Sequence, residues 1–249
     1  MTDFRDFFSK NAENYSKSNS HKTGSDLHEL IERLNPGKEQ TAIDLAAGTG
    51  FTSIALSKRV ARVVAYDGTE EMLDEARKIS VKEGVSNIDF VLGNVESIPF
   101  PDSSFDIATC RRAAHHFTDK AKFLGEVYRI LKPGGKIGIT DMTRPGTDDL
   151  DFFNELEKIR DTSHASAETA SEWKSLVTKA GFSLLEVVEM DEEFPLEKWL
   201  YPVKPDTPQG QKAYEVMAKA SKDTLRKAKI DIEKRILTKG RIVLIASKP

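Results

Sequence analysis

The stretch AIDLAAGTGFTS, residues 42–53, decides the fold of this chain. It begins with β-forming residues, passes through the turn Gly48-Thr49-Gly50 and continues into a helical pattern. A Gly-x-Gly turn between a strand and a helix lets the backbone approach a ligand closely, while the N–H groups of the helix start point towards it. The stretch therefore predicts a strand, a tight turn and a helix that border a ligand site.

Outward from this stretch, short β-rich runs alternate with helical patterns, which is typical of βαβ units in a parallel sheet. The predicted strands cover residues 42–45, 62–67, 88–92, 105–110, 136–141, 183–190 and 241–247. The pattern predicts a doubly wound α/β domain, divided into an N-terminal helical flap (1–40), a ligand-binding core (41–190), a cap insertion (191–240) and the last strand (241–249). The insertion is too long for a hairpin loop.

Composition places the chain among ordinary globular proteins, because 39% of its residues are hydrophobic, 31% are charged and the formal net charge is −3. Such a balance gives no bulk attraction for nucleic acid. The start of the chain has no leader-like apolar stretch, and the longest apolar run, 242–246, is too short to cross a bilayer, so a cytoplasmic location is expected. Cys110 is the single cysteine, which excludes an intrachain disulfide and a cysteine metal cluster; no metal is expected.

Asp44 and Ser53 bear on the kind of ligand. Ser53 stands where the nicotinamide-type Gly-x-Gly-x-x-Gly pattern has its last glycine, which disfavours a pyrophosphate-bearing dinucleotide. Asp44, just before the turn, would repel a pyrophosphate and suits a ligand with positive charge. An equally good interpretation is that Asp44 only caps local backbone N–H groups.

Asp67 ends the second predicted strand 17 residues after Gly50, near the interval at which an acid meets ribose hydroxyls in such folds. A carboxylate accepts two hydroxyl hydrogen bonds, so Asp67 is predicted to bind the ribose. The alternative is a cap for the helix predicted at 69–83. Met72, on that helix, is interpreted as an adenine contact or a core residue.

Several ordered motifs carry a family resemblance: DLAAGTG at 44–50, Asp67, GNVESIPFPDSSFD at 93–106 and LKPGGKIGITD at 131–141. Together they resemble class I S-adenosylmethionine-dependent methyltransferases, and more narrowly the ubiquinone/menaquinone-biosynthesis group and its small-molecule relatives. Motifs in the right order are more specific than any one alone. The resemblance implies a Rossmann-like, mostly parallel seven-stranded sheet with an antiparallel last strand. It also implies methyl transfer from S-adenosylmethionine to a small organic acceptor, with S-adenosylhomocysteine as product.

By this resemblance, Gly48, Thr49 and Gly50 line the methionine and ribose of the cofactor, and Asn94-Val95 faces adenine. Asn94 stands where many members carry Asp, so weaker cofactor binding is expected. Arg111 matches the position that contacts the cofactor, where it holds the methionine carboxylate or meets an acidic substrate. The predicted cofactor-binding set is Asp44, Ala46, Gly48, Thr49, Gly50, Asp67, Gly68, Met72, Asn94, Val95, Arg111 and, from the flap, Tyr15.

His115 and His116 follow the fourth predicted strand and are candidates for a general base, because an imidazole has a pKa near ~6.5. Neighbouring residues of a regular strand face opposite sides, so at most one is expected in the site. A structural hydrogen-bonding role is the alternative for either. Late in the chain, the aromatic and apolar residues Phe194, Leu196, Trp199 and Tyr201 predict an apolar lining for a substrate pocket, or simply cap packing.

Two other functions remain open from the sequence. One is a nicotinamide-dependent oxidoreductase, which Ser53 and Asp44 disfavour; the other is a cofactor-binding protein without catalysis, because methyl transfer needs no residue that binding lacks. The expected partner is a small-molecule acceptor, with no nucleic acid and no membrane span. The segment 191–240 would also serve as the arm of a homodimer.

Overall fold

A computed structural model of the chain describes residues 4–16, 22–201 and 203–249. Its centre is one β-sheet of eight strands, in which seven follow the order β3-β2-β1-β4-β5-β8-β6 and the short β7 pairs with β8. The strands are β1 Thr41–Leu45, β2 Arg62–Asp67, β3 Ile88–Leu92, β4 Phe105–Arg111, β5 Leu131–Thr143, β6 Ser183–Pro195, β7 Ile230–Asp231 and β8 Ile236–Ser247.

The first five strands run parallel, whereas β8 pairs antiparallel with both β5 and β6. The predicted seven-stranded, mostly parallel sheet with an antiparallel last strand is thus confirmed, and β7 adds two residues to it. The strand order reverses between β1 and its neighbours β2 and β4. In open α/β sheets such a switch point opens a crevice at the carboxyl ends of the strands, where ligands bind.

Helices cover the sheet and extend beyond its carboxyl edge. They are α1 Phe4–Ser16, α2 Ser25–Leu34, α3 Phe51–Ser57, α4 Glu70–Lys82, α5 Lys120–Ile130, α6 Phe152–Arg160, α7 Ala170–Lys179, α8 Leu196–Leu200, α9 Pro208–Lys219 and α10 Lys222–Lys227. Side chains start several of them: Asp119 caps α5, and Thr169 forms a capping box with Glu172 on α7. Within the described ranges, no helix is long and apolar enough to span a bilayer.

The strand limits agree with the sequence at β2 and β3 and differ at the later strands. β5 begins at Leu131 instead of residue 136, because Leu131 already pairs with Phe105 of β4 before the Gly134 turn. β6 and β8 pair from Ser183↔Ser247 to Pro195↔Ile236, so both strands continue into the segment that was predicted to be only a cap. Long antiparallel pairing carries the sheet outwards beyond the parallel part.

The segment beyond the sheet has its own apolar cluster, separate from the one around the parallel strands. It joins α6, α8 and α9 to the outer ends of β5 and β8, with Phe153, Leu156, Leu200 and Leu237 fully buried. Burial of such side chains contributes roughly 1.5–3 kcal/mol each. The apolar cluster thereby attaches the cap to the sheet, whereas α2 packs on β5 and β8 in a different cluster.

Candidate functional site

An inner cavity of about 220 Å³ lies at the carboxyl ends of β1, β2 and β4, at the switch point of the sheet. All of the predicted cofactor contacts line it except Asp44 and Gly50. Its lining comprises Phe8, Tyr15, Ala46, Ala47, Gly48, Thr49, Phe51, Thr52, Asp67, Gly68, Thr69, Met72, Gly93, Asn94, Val95, Glu96, Arg111, Arg112, Ala113, His116, Phe117 and Thr118. Phe8, Phe51 and Phe117 are apolar members that the sequence motifs did not indicate.

The glycine turn borders this cavity with backbone. Gly48 has a φ of +54°, and no atom would lie within 4 Å of a Cβ placed there, so the missing side chain leaves open space. Gly50 has a φ of +81° and is pressed against Ala76, whose Cβ would lie 2.9 Å from an added one. Gly50 thus allows α4 to pack closely on the turn, and Gly48 keeps the cavity open; the predicted cofactor contact of Gly50 stays a prediction.

Asp67 connects the turn to the second strand. Its Oδ2 accepts a hydrogen bond from the Gly48 N–H (2.7 Å), and its Oδ1 accepts one from the Thr69 N–H (2.9 Å). Burial raises the pKa of the carboxyl, and these backbone donors oppose the rise. A carboxylate has about four acceptor sites, so two remain for ligand hydroxyls at the cavity wall. Thr69 directly precedes α4, but its N–H is not one of the first N–H groups of that helix, so its hydrogen bond to Asp67 does not cap α4.

Asp44 lies under the turn, outside the cavity lining. It is 1% exposed, and its two oxygens accept hydrogen bonds from the hydroxyls of Ser53 (2.7 Å) and Thr109 (2.8 Å). Burial raises its pKa to about 6, although both hydroxyls favour the ionised form. Both carboxylate oxygens hold β1, α3 and β4 together below the site, and the predicted ligand contact of Asp44 stays a prediction.

The loop after β3 forms the opposite wall of the cavity. The Asn94 side-chain oxygen accepts the Glu96 N–H (2.9 Å), and the Asn94 carbonyl accepts the Tyr66 hydroxyl (3.1 Å). Gly93 passes so close to Tyr66 that an added Cβ would lie 2.0 Å from the phenol oxygen. The loop is thus held against β2, with Asn94 and Val95 at the cavity and Met72 buried beside them.

Arg111 and Arg112, at the end of β4, converge on one buried acid that the sequence did not indicate. Asp26 on α2 accepts two hydrogen bonds from Arg111 (both 3.0 Å) and two from Arg112 (both 2.7 Å). Burial alone would raise the pKa of Asp26, but the two guanidinium groups hold it well below its usual range. The N-terminal flap is thereby tied to the edge of the site. In the sequence, Asp26 resembles an ordinary acid in the first turn of a helix.

The two histidines lie on a 3₁₀ turn, Ala114–His116, and not on a regular strand. His115 is buried, and its ring Nδ1 lies 2.6 Å from Asp141 Oδ1. Its backbone N–H donates a hydrogen bond to Asp141 Oδ2 (2.8 Å). His116 Nδ1 lies 3.1 Å from both Ser163 O and Ser163 Oγ. Burial, followed by the neighbouring His115, lowers the pKa of His116 to about 3, so this imidazole is neutral.

A second cavity, the outer cleft, has a volume of about 680 Å³ and lies between the inner cavity and the cap. Both histidines line it, whereas only His116 lines the inner cavity, because consecutive residues of a turn do not alternate as those of a strand do. Three of the four residues predicted to line a substrate pocket do line this cleft: Phe194, Trp199 and Tyr201. The fourth, Leu196, is buried in the apolar cluster of the cap.

The lining of the outer cleft is richer in charge than the predicted apolar pocket. Its charged members are Arg112, Asp141, Arg160, Asp161, Asp191, Glu192, Lys198, Lys239 and Arg241. Many of these residues come from β8, from the end of β6 and from the end of α6. The apolar interpretation therefore covers only the wall that Phe194, Trp199 and Tyr201 form.

Four residues line both the inner cavity and the outer cleft: Phe8, Tyr15, Arg112 and His116. Phe8 packs edge-on against His116 with ring centroids 4.9 Å apart, and against Tyr15 at 5.7 Å. Burial raises the pKa of Tyr15 to about 12, so its phenol stays protonated. These side chains from α1 and from the turn after β4 separate two adjoining spaces.

Comparison with known proteins identifies relatives along most of the chain. A family profile described as a methyltransferase domain matches residues 43–139. The uncharacterized methyltransferase YcgJ of Bacillus subtilis is 38% identical over 201 residues, which cover 80% of this chain and 76% of that protein. A ubiquinone/menaquinone biosynthesis C-methyltransferase of Hydrogenovibrio crunogenus is 30% identical over 196 residues, covering 67% of this chain and 76% of that enzyme.

Solved structures give the same picture. A crystal structure from Bacillus halodurans, of a protein assigned as a methyltransferase, superposes with a TM-score of 0.83 and 34% sequence identity over 91% of this chain and 100% of that one. The structure of the Bacillus subtilis YcgJ protein gives a TM-score of 0.82 with 28% identity, and covers 91% of this chain and 99% of that one.

Proposed function

This chain belongs to the S-adenosylmethionine-dependent methyltransferases, and from that premise we propose that it methylates a small organic acceptor held in the outer cleft. The observation that carries the proposal is the contact between the two spaces, since Phe8, Tyr15, Arg112 and His116 line both. A methyl donor in the inner cavity and an acceptor in the outer cleft would meet at these four side chains. A fold that only stored the cofactor would have no use for the second space.

The inner cavity fits the cofactor in its polar groups and in its shape. Asp67 keeps acceptor sites for the ribose hydroxyls, and Gly48 leaves the open space that a ligand needs beside the turn. Asn94, Val95 and Met72 form the wall proposed for adenine, with the apolar side chains against the ring. When bound, S-adenosylmethionine supplies a methyl group already activated by the sulfonium. The protein then has to align the acceptor and exclude water.

His115 is the residue that we propose as the base for an acceptor that loses a proton. Asp141 Oδ1 lies 2.6 Å from Nδ1 of His115, and Asp141 Oδ2 accepts the backbone N–H of the same residue. An ionised carboxylate fixes the proton on Nδ1, which leaves the Nε2 lone pair for the acceptor. His116 is a poorer base because its pKa is lowered to about 3.

The cofactor assignment can be tested with a matched pair of glycine variants. Gly48 and Gly134 both have positive φ, and neither would meet an atom within 4 Å of an added Cβ, but only Gly48 lines the inner cavity. We expect Gly48→Val to abolish binding of S-adenosylmethionine in calorimetric titration, and Gly134→Val to retain it. Equal binding by the two variants would remove the assignment of the cavity.

Catalysis needs a separate measurement. The wild-type protein is incubated with methyl-labelled S-adenosylmethionine and a metabolite extract, with Gly48→Val as the control. Label in a small molecule that requires the wild-type protein is the expected result. Cofactor binding with no labelled product in any extract fraction would contradict the proposed acceptor class. Titration with a nicotinamide dinucleotide in parallel tests the oxidoreductase alternative, for which no binding is expected.

The remaining features of the proposal concern location and partners. A cytoplasmic protein is consistent with a chain whose one cysteine, Cys110, is a buried free thiol. The formal charge of −3 and the mixed surface ion pairs support a small acceptor and not a nucleic acid. The homodimer through the segment 191–240 stays a prediction, to be tested by light scattering.

A further inference from the structure

Two cations of β8 stand on the same side of the outer cleft. Lys239 and Arg241 are two residues apart, so they project from the same face of the strand, with Cα atoms about 7 Å apart. Both line the cleft. In the sheet, Arg241 is flanked by Met142 of β5 and Met190 of β6, which are uncharged neighbours. A buried cation is costly unless something pairs with it.

Asp26 lies near Arg241, but all of its acceptor sites are already occupied by other hydrogen bonds. Its Nη1 lies 3.9 Å from Asp26 Oδ2, which is an ion-pair distance but too long for a hydrogen bond. Asp26 accepts four hydrogen bonds from Arg111 and Arg112, and a carboxylate has about four acceptor sites. Within residues 4–16, 22–201 and 203–249, Arg241 has no side-chain hydrogen bond, although its side chain is only 13% exposed.

Lys239 shows the same pattern around a second buried acid. Its ammonium lies 2.8 Å from Glu157 Oε1, which also accepts the Trp199 indole N–H (2.9 Å). The other oxygen of Glu157 accepts two hydrogen bonds from Arg160 (2.9 and 2.6 Å). An ammonium has three donors, so Lys239 keeps donors for the cleft. One buried acid thus serves Arg160 and Lys239, and another serves Arg111, Arg112 and Arg241.

In the part of the chain that the structure describes, the acids that line the cleft accept no hydrogen bond from Lys239 or Arg241, although the charges of Asp141 and Glu192 act on Arg241. Asp141 accepts from His115, Asp161 accepts from Ser163 (2.9 Å from the backbone N–H), and Asp191 pairs with Lys229 at 2.5 Å. Glu192 stands opposite Lys239 in the strand register and is exposed at the rim. The two cations Lys239 and Arg241, which we call the floor of the outer cleft, therefore keep hydrogen-bond donors that none of the described acids in its lining accepts.

We propose that the methyl acceptor carries an anionic group, a carboxylate or a phosphate, which binds to Arg241 and Lys239 on the floor of the outer cleft. An oxyanion there would accept the hydrogen bonds that Asp26 and Glu157 have no free acceptor site to take, and a planar guanidinium binds it through two parallel bonds. The proposal rests on the proposed function, because it assigns the acceptor's place. It adds the chemical class of the acceptor and the place of its charged end, at Arg241 and Lys239.

The test uses the full chain saturated with S-adenosylhomocysteine, titrated with inorganic phosphate and separately with acetate. We expect anion binding by wild type, at least about tenfold weaker binding by Arg241→Met, and an intermediate affinity for Arg241→Lys, because charge-assisted hydrogen bonds contribute about 1.5–3 kcal/mol. Tighter phosphate binding assigns a phosphorylated acceptor, and tighter acetate binding assigns a carboxylate. The control is Arg226→Met, an arginine on the exposed face of α10 that pairs only locally with Asp223.

A stability measurement separates a binding role from a structural one. If Arg241 is present for a ligand, Arg241→Met keeps or raises the melting temperature in the absence of anion, since it removes a buried charge without hydrogen bonds. Equal anion affinity in wild type and Arg241→Met, or no anion binding by wild type, would overturn the proposal. If Arg241→Met does not fold, the same titration of Lys239→Met decides. If the wild-type protein does not bind S-adenosylhomocysteine, this result contradicts the proposed function instead.

Discussion

Asp67→Asn is the substitution that most directly tests the ribose site. The carboxylate has about four acceptor sites, of which the N–H groups of Gly48 and Thr69 occupy two. An asparagine of the same shape offers one oxygen and loses the charge, so at most one ribose hydroxyl finds an acceptor. A hydrogen bond to a charged group contributes about 1.5–3 kcal/mol. We therefore expect the affinity for the cofactor to fall about 10- to 100-fold, at ~1.4 kcal/mol for each factor of ten.

The assay is calorimetric titration with S-adenosylmethionine and with S-adenosylhomocysteine. Both carry the ribose but only the first has a sulfonium charge, so a ribose contact predicts the same factor for both ligands. A loss confined to S-adenosylmethionine would indicate a long-range charge effect. Asp89→Asn, on the neighbouring strand β3, is the matched control because Asp89 pairs with Arg62 at the surface, outside the cavity. Wild-type affinity of Asp67→Asn for both ligands would refute the reasoning.

Three further outcomes follow from the described contacts. The pKa of Asp44 is raised from 3.8 to about 6, so between these pH values the folded state keeps a proton that the unfolded state has lost. The free energy of unfolding of the wild type, compared with that of Asp44→Asn, should therefore fall by up to about 3 kcal/mol as the pH rises from about 4 to 6. Urea titrations at a series of pH values measure this difference. His115→Asn should lower kcat about 10²- to 10⁴-fold with the cofactor affinity unchanged, and unchanged kcat would exclude it as the base. Gly93→Ala should destabilise the chain by about 1–3 kcal/mol in the same titrations, since its Cβ would meet the Tyr66 phenol oxygen at 2.0 Å; an unchanged midpoint would contradict the close packing.

The parts of the molecule that local pattern controls were predictable from the sequence. β2 and β3 occupy the predicted residues, because apolar runs of five or six residues bounded by turn or cap residues admit few other structures. The turn Gly48-Thr49-Gly50 and Asp67 lie together at the inner cavity because parallel strands end on one edge of a sheet. Order along the chain is sufficient for such features.

The features that depend on long-range docking were not predictable. Asp26 meets Arg111 across 85 positions, and only the packing of α2 on β5 and β8 brings the two together. The charged outer cleft has the same origin, because β8 begins five residues before its predicted start and presents Lys239 within the sheet. A lysine judged from its neighbouring sequence alone is most often expected to be exposed to solvent. The sequence around Lys239 therefore does not distinguish it from the surface lysines nearby.

The carboxylate of Asp26, which Arg111 and Arg112 share, also limits the movement of α2. Separating a buried ion pair typically costs about 3–5 kcal/mol, and moving α2 outward would expose Arg111 and Arg112 together. An outward movement of α2 is therefore costly, which keeps the start of this helix and the end of β4 together at the edge of the site.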